Sequence, residues 1–127
     1  MNNKNDFASK CPVDRAMDLL NKKWHIQIIK DLFFGKKHFK EFKEDKPNLS
    51  NKVLSNCLKD LENKELINKT ILENGNYTEY SLTEKGLALN KVIYELAMFT
   101  LEKCDDFKDD KHKANVEKLF KNTLDIN

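Results

Sequence analysis

The sequence predicts a mainly α-helical domain that carries one small β-hairpin and is flanked by additional helices. Three observations predict it. Apolar residues recur at helical spacing over most of the chain, most clearly at Val53, Leu54, Cys57, Leu58 and Leu61. After Leu66 the period changes from helical to alternating, and Asn74-Gly75 stands between two alternating runs as a hairpin signal. The composition, 39% hydrophobic and 35% charged over 127 residues, fits a single soluble, helix-rich domain with a real core.

The bulk numbers also exclude. Formal net charge is only +2, so a nucleic-acid role requires a local basic patch. No apolar run approaches the roughly 20 residues that span a bilayer, so no membrane partner is expected. The N-terminus, MNNKNDFASKC, has no apolar h-region, so an intracellular, cytoplasmic location is expected and the cysteines are expected to be reduced at rest. They stand at positions 11, 57 and 104 with no CxxC pair, so neither a metal nor another cofactor is expected, although His25, His38 and His112 exist. Arg15 is the only arginine, so any basic surface must be built from lysine.

Taken in order, residues 1–10 are polar and expected to be flexible. Cys11-Pro12 starts a helix, since proline suits the first helical position. Val13, Ala16, Met17, Leu19 and Leu20 form its apolar side, and Asn21-Lys22-Lys23 breaks the pattern. Trp24 opens a second helix with Ile26, Ile28, Ile29, Leu32 and Phe33 to bury, and Gly35 closes it. Lys36-Lys37-His38 reads as a basic, exposed loop. A short helix with Phe39 and Phe42 comes next and ends at Lys46-Pro47-Asn48, because proline disfavours helix at the residue before it.

Ser50 can N-cap the next helix, with Leu49 and Leu54 placed as a hydrophobic staple. The face opposite its apolar stripe carries Asn51, Lys52, Ser55, Asn56, Lys59 and Asn63, with acids only at Asp60 and Glu62 near the end. Amides can bond adenine edges, hydroxyls can bond bases or phosphates, and lysine can reach guanine or phosphate. A short helix, a tight turn and a second helix with such a face make a helix-turn-helix.

Residues 67–72 and 77–82 read as strands. If Asn74-Gly75 is a two-residue turn, it pairs Leu72 with Tyr77 and Ile67 with Leu82, and places Ile67, Ile71, Tyr80 and Leu82 on the core side; a three-residue loop, Asn74 to Asn76, shifts this register by one. A hairpin directly after a helix-turn-helix is a wing, so the architecture expected is a winged helix-turn-helix. Thr83 can N-cap a long helix with a wide apolar stripe at Leu89, Val92, Ile93, Leu96, Ala97, Phe99, Thr100 and Cys104. Residues 105–113 read as a charged break, and Val116, Leu119, Phe120 and Thr123 as the apolar side of a last helix. These two helices carry more apolar surface than one small winged helix needs, and a partner subunit is the natural use for the excess.

These motifs, in this order, resemble the HxlR-type winged helix-turn-helix transcriptional regulators, relatives of the MarR group. Cys11-Pro12-Val13 resembles the family's start and Lys23-Trp24 its GGKW motif. Residues 32–39, LFFGKKHF, resemble its L-x-x-G-x-x-R-F segment. Residues 49–62 resemble its I-S-x-R-x-L-x-x-x-L-R-x-L-E helix, with Lys52 and Lys59 where arginine is usual. Residues 79–86, EYSLTEKG, match its E-Y-x-L-T-x-x-G. The resemblance covers residues 11–103. Departures are Asn21 and Lys22 for two glycines, His38 for an arginine, Asn74-Gly75-Asn76 for the wing's Pro-Pro and Phe99 for a late tryptophan.

The resemblance implies a homodimer on a palindromic double-stranded DNA operator, with the first and last helices at the interface and no enzyme activity. The domains it implies are a winged helix-turn-helix at 11–104 and a C-terminal dimerisation helix at 105–127. Several relatives sense oxidants or electrophiles through a cysteine near the N-terminus, a place that Cys11 occupies, so an oxidant or small-molecule effector is a further implied partner. The opposed reading is a winged-helix module that binds protein and not DNA, which calls for an apolar or acidic outer face.

The candidate DNA-binding residues are therefore Ser50, Asn51, Lys52, Ser55, Asn56 and Lys59, with Lys36 and Lys37 on the preceding loop; Asn74, Gly75 and Asn76 form the wing, which either touches DNA or merely caps the core. Lys52 and Lys59 are read as phosphate contacts, since lysine is a point charge without arginine's bidentate fork; base reading falls to Asn51 and Asn56. Cys11, at a helix N-terminus with Lys10 and Arg15 near in sequence and Asp14 working against them, is the candidate redox residue, because the helix dipole favours an ionised thiol; the opposed reading is an inert thiol. Cys57 is read as a packed core thiol, Cys104 is left open, and Trp24 is assigned to the core. His25 and His38 are expected to be exposed loop or helix residues.

Overall fold

Helix α1 (Pro12–Leu19) starts where Pro12 allows it, and Cys11 is its N-cap, with Sγ accepting from the Asp14 N–H at 3.4 Å. The computed structural model describes residues 11–75, 77–104 and 109–127. The other elements are α2 (His25–Phe33), α3 (Phe39–Lys43), α4 (Asn51–Asn63), β1 (Ile67–Leu72), β2 (Tyr77–Leu82), α5 (Glu84–Leu87), α6 (Asn90–Lys103) and α7 (Asp110–Thr123). This is a winged helix-turn-helix with flanking helices. The expected flexible N-terminus at 1–10 lies outside the described residues.

The core is one cluster. Ile28, Ile29 and Leu32 from α2, Phe42 from α3, and Leu54, Cys57, Leu58 and Leu61 from α4 meet Leu66, Ile67, Ile93, Met98, Leu101 and Leu124. Asp31 and Lys46 are buried within the α2–α3 corner as an ion pair, and Lys30 Nζ approaches the second Asp31 oxygen at 2.7 Å. A buried carboxylate without such a partner would be strongly destabilising.

Helix α4 is capped at both ends. The Ser50 Oγ accepts from the Val53 N–H at 3.1 Å. At its C-terminus Glu65 takes φ +62°, the Leu66 N–H donates to the Leu61 carbonyl at 3.0 Å and the Glu65 N–H to the Glu62 carbonyl at 3.0 Å. This is a Schellman motif with glutamate in the left-handed position that glycine usually takes.

The strands pair antiparallel with Ile67 opposite Leu82 and Leu72 opposite Tyr77, the expected register. The turn differs. Positive φ begins one residue early, at Glu73, and the Gly75 N–H closes it onto the Leu72 carbonyl at 3.2 Å. Ile71, expected on the core side, is 60% exposed. The core face holds for Ile67, which is buried, and for Tyr80 and Leu82, which are half-buried; Ile71, nearer the turn, is not among the described residues that pack on the core cluster.

Thr83 knots the hairpin to α5. Its N–H donates to the Leu66 carbonyl, its hydroxyl donates to the Glu65 carbonyl at 2.7 Å, and its Oγ accepts from the Gly86 N–H at 3.0 Å. The single long helix expected here is two, α5 and α6, with the break at Ala88 and Leu89. The α6 stripe also needs correction: Ile93, Tyr94, Met98 and Leu101 are buried, whereas Val92, Leu96 and Phe99 are exposed. The helix is apolar on two faces, and only one of them faces the core of the chain. Helix α7 packs back on α6 and on the end of α2, through the Tyr94 hydroxyl on Glu117 at 3.2 Å, the Asn90 amide on the Leu124 carbonyl at 2.9 Å and a Phe34–Phe120 edge contact at 5.2 Å. It starts at Asp110, capped by Asp109, so the predicted break at 105–113 is shorter; residues 105–108 lie outside the described residues.

Candidate nucleic-acid interface

The apolar stripe of α4 fixes which side of that helix faces water. With Leu54, Cys57, Leu58 and Leu61 buried, Asn51, Lys52, Ser55, Asn56 and Lys59 all stand exposed on the opposite side. Asn51, Ser55 and Lys59 come at intervals of four along one line, and Lys52 and Asn56 along the next. Val53, expected on the apolar stripe, is instead 40% exposed and adds one apolar side chain beside them. Asp60, one of the two acids on this helix, turns inward instead. Its Oδ2 lies 3.0 Å from His25 Nε2 and 2.9 Å from Lys64 Nζ. The exposed surface is thus left with amides, hydroxyls and cations until Glu62.

Ser50 is engaged as the cap through its acceptor, and its hydroxyl hydrogen stays available to donate. The Lys43 Nζ donates to the Asn51 Oδ1, so a lysine of α3 stands beside the first turn of α4. Lys36 and Lys37 come just after α2. Lys36 pairs with Asp45 at 3.3 Å, while the Lys37 side chain is exposed. Lys46 and Lys36 together hold the Asp45 carboxyl down at about 2. Asn74 and Gly75 are exposed at the hairpin tip; Asn76 lies outside the described residues.

Hydrogen bonds from the loop and from His38 tie the hairpin to the helix-turn-helix. The Tyr80 N–H donates to the Lys37 carbonyl at 2.9 Å, which lays the loop alongside β2. His38 caps α3, with Nδ1 3.1 Å from the Thr78 carbonyl and Nε2 2.7 Å from the Tyr77 hydroxyl. The carbonyl can only accept, so Nδ1 carries a hydrogen toward it. The expectation of an exposed loop histidine is therefore corrected: His38 is half-buried and cross-links two elements.

His25 is corrected further, being fully buried. Its Nδ1 accepts from the Lys22 N–H at 3.3 Å and its Nε2 faces Asp60. Burial pushes its pKa below the ordinary imidazole value; Asp60 opposes that, and Lys64 and Lys22 reinforce it. Burial pushes the Asp60 carboxyl up, but the Lys64 bond and the charges of Lys64, His25 and Lys22 together outweigh it, and the net direction is down.

The three thiols differ. Cys11 is exposed, Cys57 is buried and Cys104 is intermediate. Burial pushes the Cys57 thiol up, which makes it a poor nucleophile. Among the described residues no cluster of three or more His, Cys, Asp or Glu side chains is placed to hold a metal, and no helix is long and apolar enough to cross a membrane.

Sequence reasoning missed Lys43, His25 and Lys64. The signals for two of them were present. His25, Ile28, Ile29 and Leu32 share one helical face, and Asp60 and Lys64 are spaced i, i+4. Nothing local marks Lys43 as the neighbour of Asn51.

Comparison with known proteins agrees with this architecture. A model of the HxlR-like helix-turn-helix family matches residues 19–107. The HTH-type transcriptional regulator YvaP of Bacillus subtilis is 37% identical over 100 residues, 77% of this chain and 93% of that protein. The HTH-type transcriptional regulator YodB of the same organism is 39% identical over 97 residues, 75% of this chain and 87% of that protein. Reduced YodB superposes with a TM-score of 0.64 at 38% identity, covering 79% of this chain and 99% of that one, and YodB has also been solved quinone-bound and diamide-treated. The redox regulator HypR in its reduced form superposes with a TM-score of 0.70 at 26% identity, covering 75% of this chain and 95% of that one. By the family match and these relatives, the chain is a transcriptional regulator belonging to the HxlR-like helix-turn-helix family.

Proposed function

We propose that the protein binds a palindromic operator as a homodimer, and that oxidation or electrophile addition at Cys11 changes that binding. The observation that carries the DNA reading is the exposed face of α4, where Asn51, Lys52, Ser55, Asn56 and Lys59 stand together with both nearby acids off the centre of the surface. Such a face suits phosphate and base edges, and it is neither the apolar nor the acidic face that a protein-binding module calls for. In this reading Lys52, Lys59 and Lys37 meet phosphates, Asn51 and Asn56 read bases, and Asn74 and Gly75 approach the flanking backbone.

The homodimer is supported by apolar side chains that this subunit leaves uncovered: Val13 and Met17 on α1, Val92, Leu96 and Phe99 on α6, and Leu119 on α7. Residues 11–104 then form the DNA-binding domain, and residues 105–127 add to the interface. The thiol switch is supported by the exposure of Cys11 at a helix N-terminus and by the quinone-bound and diamide-treated states of the relative YodB.

A footprint on the DNA upstream of the protein's own gene tests this reading. Two related half-sites about one helical turn apart, or a multiple of it, should be protected. Protection of one unrepeated half-site contradicts it.

A further inference from the structure

Helix α1 buries none of its residues in this subunit; only Leu19, at its end, and its C-cap Leu20 are half-buried. Its last turn carries no basic residue of its own. Yet the carbonyls there are served. Lys64, the C-cap of α4, places Nζ 3.1 Å from the Asp18 carbonyl and 3.0 Å from the Leu19 carbonyl. The same ammonium lies 2.9 Å from the Asp60 Oδ2. A cation at a helix C-terminus is favourable because the orphan carbonyls concentrate negative charge. Here the cation comes from the helix that carries the candidate DNA-binding face.

A second strand of contacts reaches the same point. The Lys22 N–H, in the loop leaving α1, donates to His25 Nδ1 at 3.3 Å, and His25 Nε2 faces Asp60. The groups gathered at this joint are Lys64 and Asp60 from α4, His25 from α2, Lys22 from the loop and the two α1 carbonyls. His25 is fully buried and Lys64 is largely shielded, so these contacts are screened less than surface pairs.

We propose that Lys64 is a positioning residue that makes α4 move with α1, so that a displacement of α1 is passed to the candidate DNA-binding face. This deepens the reading of Cys11 as the modified thiol and rests on it. Cys11 is at one end of α1 and the Lys64 contacts are at the other, about 12 Å away for eight residues at 1.5 Å each. An adduct at the first end tilts a short rigid rod, and the joint carries the tilt into α4.

Trp24 gives a readout that does not need DNA. It is the only tryptophan and sits directly before His25 as the N-cap of α2. In a Cys104→Ser background, Cys11 is alkylated with N-ethylmaleimide and Trp24 emission is recorded. Operator affinity is measured in parallel. The unsubstituted joint should show an emission change on alkylation, Lys64→Met should lose most of it, and Lys64→Arg, which keeps the donors, should restore it. The effect of alkylation on operator Kd, expected at about tenfold, should shrink to within about twofold in Lys64→Met. Should Lys64→Met fail to fold, Lys64→Gln takes its place, and amide exchange in the last turn of α4 before and after alkylation gives a reading in the unsubstituted joint. An emission change that persists undiminished in a folded Lys64→Met, or unaltered emission and exchange on alkylating Cys11, overturns the inference. An emission change without any change in operator binding leaves the joint standing and removes the thiol switch.

Discussion

His25 Nε2 lies 3.0 Å from Asp60 Oδ2, and His25 is fully buried. Burial lowers its pKa against the pull of Asp60, so the folded protein holds it neutral at pH 7. The unfolded chain takes up the proton near the ordinary value of about 6.5. Stability from this site is therefore fully present above that value and is lost as pH falls toward the lower folded value. One proton contributes at most about 1.4 kcal/mol per pH unit. Thermal melts between pH 7.5 and 5.5 should show Tm falling more steeply in the wild type than in His25→Gln. Parallel slopes would show that His25 does not set the dependence.

Gly86 is required by close approach, not by its backbone angle. A Cβ there would stand 2.2 Å from the Leu66 carbonyl oxygen and 3.0 Å from a Leu82 methyl. The carbonyl already accepts from the Thr83 N–H, so it cannot give way without loosening the knot between hairpin and α5. Gly86→Ala should lose roughly 1–3 kcal/mol, the usual range for overpacking. Urea unfolding measures this, and an unchanged midpoint would refute it.

Two kinds of variant separate reading from positioning on α4. Asn56→Ala and Asn51→Ala should relax sequence preference, since a good bidentate amide–adenine pair discriminates by roughly 1–3 kcal/mol. Lys59→Ala should weaken binding to operator and scrambled DNA by the same factor, because a phosphate contact carries no sequence information. Asn51 has its Oδ1 held by Lys43, so Asn56 should show the larger effect. Binding curves on both DNAs at one salt concentration decide. Equal losses on both DNAs for the asparagine variants would show the roles to be misassigned.

Cys11→Ser should abolish the response of operator binding to diamide. The exposed thiol at the start of α1 is accessible, whereas Cys57 is buried with its thiol pushed up. An unchanged diamide response in Cys11→Ser would place the sensor at Cys104.

Much of this fold is visible in the sequence because single-face periodicity and caps are local. Ser50, Thr83 and the Ile67–Leu82 register can be placed from neighbours a few residues away. What cannot be placed depends on distant partners. His25 and His38 look like surface residues until Asp60, 35 positions on, and Thr78, 40 positions on, are brought against them. Ile71 obeys the strand alternation and is still exposed, because the period does not say how far along the hairpin the core reaches. On α6 the periodicity shows two apolar faces and cannot say which one packs on the core, so Val92, Leu96 and Phe99 group with Ile93 in the sequence and part from it in the fold. The outward face of α4 is readable for the opposite reason: its apolar stripe is narrow and single.

Operator affinity measured against salt concentration puts the DNA reading at most risk. A nearly neutral chain, +2 overall, has no general attraction for DNA, so affinity must come from the lysines gathered around α4. Fluorescence anisotropy on a palindromic operator and on a scrambled duplex, from about 50 to 200 mM salt, should give a log–log slope of several units from counterion release. Saturation should come at two chains per operator, and the slope should be shallower by about one per half-site in Lys59→Ala. Affinity flat in salt, or equal on operator and scrambled DNA, would contradict sequence-specific operator binding through this face.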